Sequence, residues 1–258
     1  MQTPFFKIAG FVASLALVST THAALNAYNG FGAASSGFST DFSTGNATGL
    51  TYGSLTTSGA DANESLTINS GANSVAQLSS TASGTSVWLS WVYNPANSNE
   101  FGGLRLSNGT DPVNAAQIWF SPRNSGSGEL FISSRGTSGG NQAFSTGQTL
   151  SFGTSYFMVV KLDTTAKTLD FWLNPTAGAV SPGTSTLSLT TAQLPTASIV
   201  VNSIGLLGGG SGGATYDEIR VGTTWADVSP SAIPEPSSYA ALAGGALLGA
   251  ALLRRRRR

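Results

Sequence analysis

Carboxylates are the only side chains in this 258-residue sequence numerous enough for acid–base chemistry, and their spacing does not favour it. Cysteine is absent, and the single histidine, His22, stands beside an apolar N-terminal run. Without cysteine there is no disulfide, no thiolate nucleophile and no Cys-bound zinc. Once the N-terminal run is removed, no histidine base, Ser-His-Asp triad or histidine-bound metal remains. Glycoside hydrolysis needs two carboxylates about 5–9.5 Å apart across the scissile bond. Glu64, Glu100, Glu129 and Glu218 are scattered, and none has a carboxylate two residues away. A hydrolase using a carboxylate pair therefore stays as an alternative that only convergence in space could supply.

Other chemistry is equally sparse. Calcium takes several oxygen ligands, and Asp61-Ala-Asn63-Glu64 and Asn108-Gly-Thr-Asp111 are oxygen-rich. Loops of this composition are ordinarily turns, so no cofactor is expected and calcium is the one metal kept open. Gly208-Gly-Gly-Ser-Gly-Gly213 lacks the Gly-Lys-Ser/Thr of a phosphate loop and reads as a flexible strand connection. Asn46-Ala-Thr48, Asn63-Glu-Ser65 and Asn108-Gly-Thr110 fit the N-glycosylation pattern. Tyr28, Tyr52, Trp119 and Trp225 are candidates for stacking on sugars if they are exposed.

Composition narrows the class. Charged residues are 9% of the chain and Gly numbers 32, against ~25% charged in an ordinary soluble protein. Lys7 and the run Arg254, Arg255, Arg256, Arg257 and Arg258 hold half of the twelve basic residues. The stretch 24–230 keeps six basic residues against eleven acidic ones, a net charge of −5. A mildly acidic body without basic clusters argues against nucleic acid as a partner.

The two ends read as addresses. Lys7 and the apolar run Ile8 to Val18 precede small residues at Thr21 and Ala23. This predicts a signal peptide over 1–23, cut between Ala23 and Ala24. At the other end Pro234-Glu235-Pro236 is followed by Tyr239 to Leu253, made only of Ala, Leu, Gly and one Tyr, and then by five arginines. Fifteen helical residues rise about 22 Å, short of the ~30 Å hydrocarbon core, so crossing needs bilayer thinning or snorkelling. The arginines stay cytoplasmic, held at an anionic leaflet by roughly 1 kcal/mol each, which puts the body on the far side.

This order of motif, short apolar helix and arginine cluster resembles the PEP-CTERM sorting signal, over residues 231–258. Ile233 stands where the family usually has Val. The resemblance implies that an exosortase, an integral-membrane cysteine protease, recognises Pro234, Glu235 and Pro236, cuts nearby, and releases or transfers the body. Residues 239–253 would then anchor the chain transiently in the inner membrane before it reaches the cell surface or extracellular matrix.

Between the ends, residues 24–230 read as one all-β domain. Strands are predicted at Gly49 to Thr57, Ser65 to Asn69, Thr85 to Tyr93, Leu104 to Ser107 and Ala115 to Ser121. Five more follow at Glu129 to Ser133, Tyr156 to Leu162, Thr168 to Leu173, Ser198 to Leu207 and Ala214 to Val221. The best hairpin is Tyr156 to Leu173, turning at Asp163 to Lys167, where Asp163 can bond its own following amides. Alternation sets Tyr156, Met158, Val160 and Leu162 on one face, and Phe157 and Val159 on the other. The run Val87 to Tyr93 is apolar on both faces, as a covered central strand requires. In strict alternation Glu218 and Arg220 share a face as an ion pair, and Asp217 points away from Arg220. Thr224 to Val228 is expected to form a short turn of helix whose Trp225 covers a sheet edge.

Phe101-Gly-Gly-Leu-Arg-Leu106, the Lys161 hairpin ending in Trp172-Leu-Asn-Pro175, and Tyr216-Asp-Glu-Ile-Arg-Val-Gly222 occur in that order. They look like the concanavalin A-like, laminin-G-type jelly rolls often attached to this sorting tail. That resemblance implies a two-sheet antiparallel sandwich of six or seven strands per sheet, between an N-terminal signal helix and a C-terminal transmembrane helix. The expected role is a non-catalytic structural or adhesive one at the cell surface or in the extracellular matrix. A carbohydrate-binding module contacting extracellular polysaccharide is the first alternative.

Overall fold

Strands with apolar side chains on alternate positions must bury a face, and this chain does so by stacking two antiparallel sheets. The computed structural model describes residues 26–31, 35–43, 45–50, 52, 64–96, 102–111, 116–123, 127–135, 140–194, 199–209 and 212–229. Along the chain come β1 (Ala27–Asn29), β2 (Ser35–Ser36), β3 (Phe38–Thr40), β4 (Ala47–Thr48), β5 (Glu64–Ile68), β6 (Asn73–Ala82), β7 (Val87–Pro95) and β8 (Gly103–Ser107). Then follow β9 (Ile118–Arg123), β10 (Glu129–Arg135), β11 (Asn141–Thr149), β12 (Tyr156–Asp163), β13 (Thr168–Leu173), β14 (Leu187–Leu189), β15 (Val201–Leu207) and β16 (Ala214–Gly222). A single turn of helix, α1 (Trp225–Val228), ends the described chain.

One sheet has nine strands in the order β14-β13-β12-β7-β16-β1-β2, with β5 also on β16 and β4 on β5. The other has seven, in the order β11-β10-β9-β8-β15-β6-β3. The chain crosses between them from β2 to β3, β3 to β4, β5 to β6, β6 to β7, β7 to β8, β11 to β12, β14 to β15 and β15 to β16. Between the sheets Phe120 of β9 packs on Trp91 of β7, with ring centroids 5.2 Å apart, and on Phe171 of β13 at 5.9 Å. The expected all-β sandwich is present, though one sheet is wider than expected because several strands have only two or three residues.

Burial on both faces makes β7 the centre of its sheet. Val87, Leu89, Trp91 and Tyr93 enter the core between the sheets, while Trp88 and Val92 join a second apolar cluster on the outer face. The β12–β13 hairpin divides as its alternation predicts. Tyr156, Met158, Val160 and Leu162 lie in the main core, and Phe157 and Val159 in the outer cluster. Asp163 Oδ1 accepts from the amides of Thr165 (2.9 Å) and Ala166 (2.7 Å), closing the turn.

Of the strand predicted over Gly49 to Thr57, the described residues Gly49, Leu50 and Tyr52 lie outside strands, and β4 stops at Thr48; the rest of that span falls outside the described residues. The reason is local, since the Leu50 amide is taken by a side chain, Asp217, instead of a ladder partner. β1, β2, β3, β4, β6, β11 and β14 went unforeseen. β6 reads Asn-Ser-Val-Ala-Gln-Leu-Ser-Ser-Thr-Ala and β11 Asn-Gln-Ala-Phe-Ser-Thr-Gly-Gln-Thr, too polar to show an apolar period. Their strand character comes from pairing with β15 and β10. The expected signal and transmembrane helices fall outside the described residues.

Candidate functional site

Three buried charged side chains, Asp217, Glu218 and Arg220, sit where β16 changes neighbours. Its first half, Ala214 to Tyr216, pairs with β5, and its second, Ile219 to Val221, pairs with β1. Between them the register against β7 slips from Asp217 to Arg220, and Glu218 adopts φ +53°. This β-bulge resets the alternation. Ala214 and Tyr216 face the core before it, and Ile219 and Val221 after it. Strict alternation would have driven both Glu218 and Arg220 into the hydrocarbon core. The bulge instead turns Asp217, Glu218 and Arg220 toward the outer face, so the expectation that Asp217 and Arg220 oppose each other is corrected.

All three side chains are nonetheless buried. Arg220 donates to Glu218 Oε2 at 2.5 Å, confirming the predicted ion pair. The Tyr28 hydroxyl donates to Glu218 Oε1 at 2.9 Å, and the Arg220 guanidinium lies 4.7 Å from the Tyr28 ring centroid. Asp217 accepts from its neighbour's amide, Glu218 N, at 2.8 Å and from Leu50 N at 2.7 Å. A left-handed glutamate costs about 1–2 kcal/mol, which this bonding offsets. The sequence carried a signal for it: apolar residues at 214, 216, 219 and 221 skip one beat between 216 and 219.

Beside this cluster the outer face of the nine-stranded sheet carries three tryptophans. Trp88 stacks on Trp172 at 5.4 Å and meets Trp225 at 6.0 Å. Trp225 therefore covers a sheet face, not the predicted edge. Thr224 and Asp227 form a capping box around α1, and the Trp225 indole donates to Ala179 O at 2.7 Å. Val228 O accepts from Ser90 Oγ at 2.7 Å, and Ser229 O from Gly178 N at 3.1 Å. The chain is thus pinned up to residue 229, just before the sorting segment.

The proposed sugar-stacking aromatics are mostly unavailable. Tyr28, Trp119 and Trp225 are buried, and Tyr52 is half-buried with its ring 5.6 Å from Phe157. Trp119 lies on the outer face of the seven-stranded sheet, opposite Arg105 on β8 and Ser133 on β10. On the same face Arg123 stands 6.0 Å from the Phe131 ring, and Glu129 accepts from Ser145 Oγ. Burial pulls the Arg105 pKa down, opposed by Tyr216.

The remaining candidates serve structure. Asn108 O and Gly109 O, in one loop considered for calcium, accept from Asn202 and Ser203 at 2.6 Å each and tie that loop to β15. Asp61 and Asn63 of the other loop fall outside the described residues. Among the described residues no three His, Cys, Asp or Glu side chains converge. At Gly208 an added Cβ would stand 1.9 Å from Asn69 O, so this end of the glycine run is held tightly against a turn. Ala23, Ala24, Pro234, Glu235, Pro236 and Arg254 to Arg258 all lie outside the described residues.

Two core tyrosines set the alkaline limit of the fold. Tyr93 and Tyr216 pack at 5.3 Å, and burial raises both phenol pKa values well above the usual 10.0. A raised folded pKa leaves stability intact below the unfolded value and removes it as pH climbs toward the folded one. Downstream of Ala23 no His or Cys side chain titrates between the carboxylates and the tyrosines. The melting temperature is therefore expected to stay level from about pH 6 to about pH 9 and to fall above about pH 10. A thermal melt series across pH checks this, and a step near pH 6.5 would contradict it.

No curated protein sequence matches the chain. Among solved structures, an endo-β-1,4-glucuronan lyase from the fungus Trichoderma reesei superposes with a TM-score of 0.47 at 15% identity, covering 80% of this chain and 99% of that one. Domain 4 of AbnA, a GH43 extracellular arabinanase from Geobacillus stearothermophilus solved with arabinotriose, gives 0.47 at 16%, covering 80% and 96%. A glycosyl hydrolase family 16 protein from Mycobacterium smegmatis gives 0.45 at 14%, covering 77% and 100%. At these scores neither their activities nor their ligands carry over. Residues 232–258, by contrast, match the PEP-CTERM protein-sorting motif, the mark of an exported protein sorted by an exosortase.

Proposed function

We propose that the body is a non-catalytic β-sandwich delivered to the cell surface or extracellular matrix, where it acts as a structural or adhesive protein. The observation that carries this reading is the sorting segment at 232–258, whose Pro234, Glu235 and Pro236 are the residues offered to the protease. The body supports it through the use of its carboxylates. Glu218 is bound in an ion pair, Asp227 caps α1, Asp163 closes a turn, and Asp170 and Glu129 accept from Ser188 and Ser145. Each of these carboxylates is engaged in holding the fold together.

The test is the intact mass of the protein recovered from its own producer. A mass running from Ala24 to about Pro234, with or without added sugar, is expected. A mass that retains Leu253 and the arginines would make the tail a plain anchor and overturn the sorting step. Turnover of a polysaccharide by the purified protein would overturn the non-catalytic role.

A carbohydrate-binding module is the second reading. It is favoured by the outer face of the seven-stranded sheet, where Arg123 and the half-buried Phe131 sit together. Saturable binding on a glycan panel, lost in Phe131→Ala, would support it; no binding with or without calcium would remove it.

A further inference from the structure

Strands that end a sheet offer unpaired N–H and C=O groups to any further strand, and natural edges are blunted by shortness, charge, proline or a bulge. Most edges here are short: β14 and β3 have three residues, and β2 and β4 have two. β11 is different. Among the described residues it ends the seven-stranded sheet, with nine residues and neither a charged side chain nor a proline. A bulge blunts only its second half, where Gly147 takes φ +68° and the register to β10 slips between Glu129 and Phe131. Asn141 to Ser145 pair one for one with Arg135 to Phe131, and Asn141, Gln142, Ala143 and Ser145 are exposed.

We propose that this half of β11 is a self-association edge. Two copies pair their Asn141 to Ser145 segments antiparallel about a two-fold axis at Ala143, making one sheet continuous across the dimer. The charges beside the strand choose a second copy and its direction. On β10, Glu129 accepts from Ser145 Oγ at one end, and Arg135 stands opposite Asn141 at the other. An antiparallel copy sets Ser145 against the partner's Asn141, and so aims Glu129 toward the partner's Arg135, twice by symmetry. A parallel copy, related by an axis along the strand, would turn its sheet over and put Glu129 and the partner's charges on opposite faces. No ionised side chain on either strand opposes the pairing, whereas a charged peptide would find no counter-charge on β11 itself.

The absence of cysteine makes the test direct. Residues facing each other across an antiparallel pair have Cα atoms about 4.5–5.5 Å apart, within disulfide reach. The full chain carrying Ala143→Cys, treated with diamide, is expected to form a disulfide-linked dimer. Val180→Cys, on a fully exposed loop residue away from the edge, is expected to stay monomeric on a denaturing gel. Ala143→Lys and Ala143→Glu, each alone, are expected to weaken the dimer about tenfold or more by facing like charges across the axis. Mixing the two variants is expected to restore it in sedimentation equilibrium. Cross-linking of Ala143→Cys no better than Val180→Cys, or equal association of the like-charge variants and the native chain, would overturn the proposal. The inference goes beyond the proposed role by naming a partner. It stands on the sheet edge alone, so an unprocessed tail would leave it intact.

Discussion

Glu218→Ala is expected to destabilise the protein by about 3–5 kcal/mol, because it strands the buried Arg220 guanidinium without its counter-charge. It also takes the acceptor from the Tyr28 hydroxyl, which spans β1 to β16. The left-handed backbone at residue 218 would lose the side-chain bonds that hold it. Removing both charges tells a different story. In Glu218→Gln with Arg220→Met, the amide can still accept from Tyr28 and no unpaired ion remains, so most of the loss should return. Urea unfolding of the native chain, Glu218→Gln, Arg220→Met and the double variant closes the cycle, with Glu218→Ala measured alongside. A cost below about 1 kcal/mol for Glu218→Ala would show that the pair does not hold the bulge.

Trp225→Ala carries the second large effect, about 3–5 kcal/mol for an aromatic removed from a packed cluster. The indole fills the space over Trp88 and donates to Ala179 O. Its loss should free Val228 and Ser229 from their bonds to Ser90 and Gly178 and loosen the chain where it departs toward the sorting segment. Trp225→Phe keeps most of the ring and gives up the N–H bond, a loss of about 1 kcal/mol. Denaturant unfolding measures the stabilities, and limited proteolysis near residue 229 reports the loosening. Equal stability of Trp225→Ala and the native chain would mean the outer cluster does not depend on this helix.

The two predictions meet on one sheet. β16 contributes the charged bulge and leads into α1, while β7 beside it contributes Trp88, Val92 and Ser90 to the outer face. The outer face is thus a second small core that fixes the exit of the chain.

The strongest readings from sequence were those that depend on order along the chain. The sorting motif over residues 232–258 is written in linear order, so no fold is needed to see it. The β12–β13 hairpin was equally legible, because a period of two over strongly apolar residues fixes which side chains face inward. The β16 bulge was only half legible: the skipped beat at Tyr216 to Ile219 was present, and strict alternation misread it.

What the amino-acid order alone determined was therefore the sorting motif at 232–258, the all-β class and the strongest strands. Each follows from local chemistry: charge and hydropathy at the ends, and side-chain alternation in the middle. Only the tertiary structure decided that polar β6 and β11 are strands, since backbone hydrogen bonds from β15 and β10 make them so. It alone buried Tyr28, Trp119 and Trp225, and turned Glu218 and Arg220 outward. Burial depends on which distant segments arrive to cover a face, and pairing on which edge is left open, and neither is written in a residue's near neighbours.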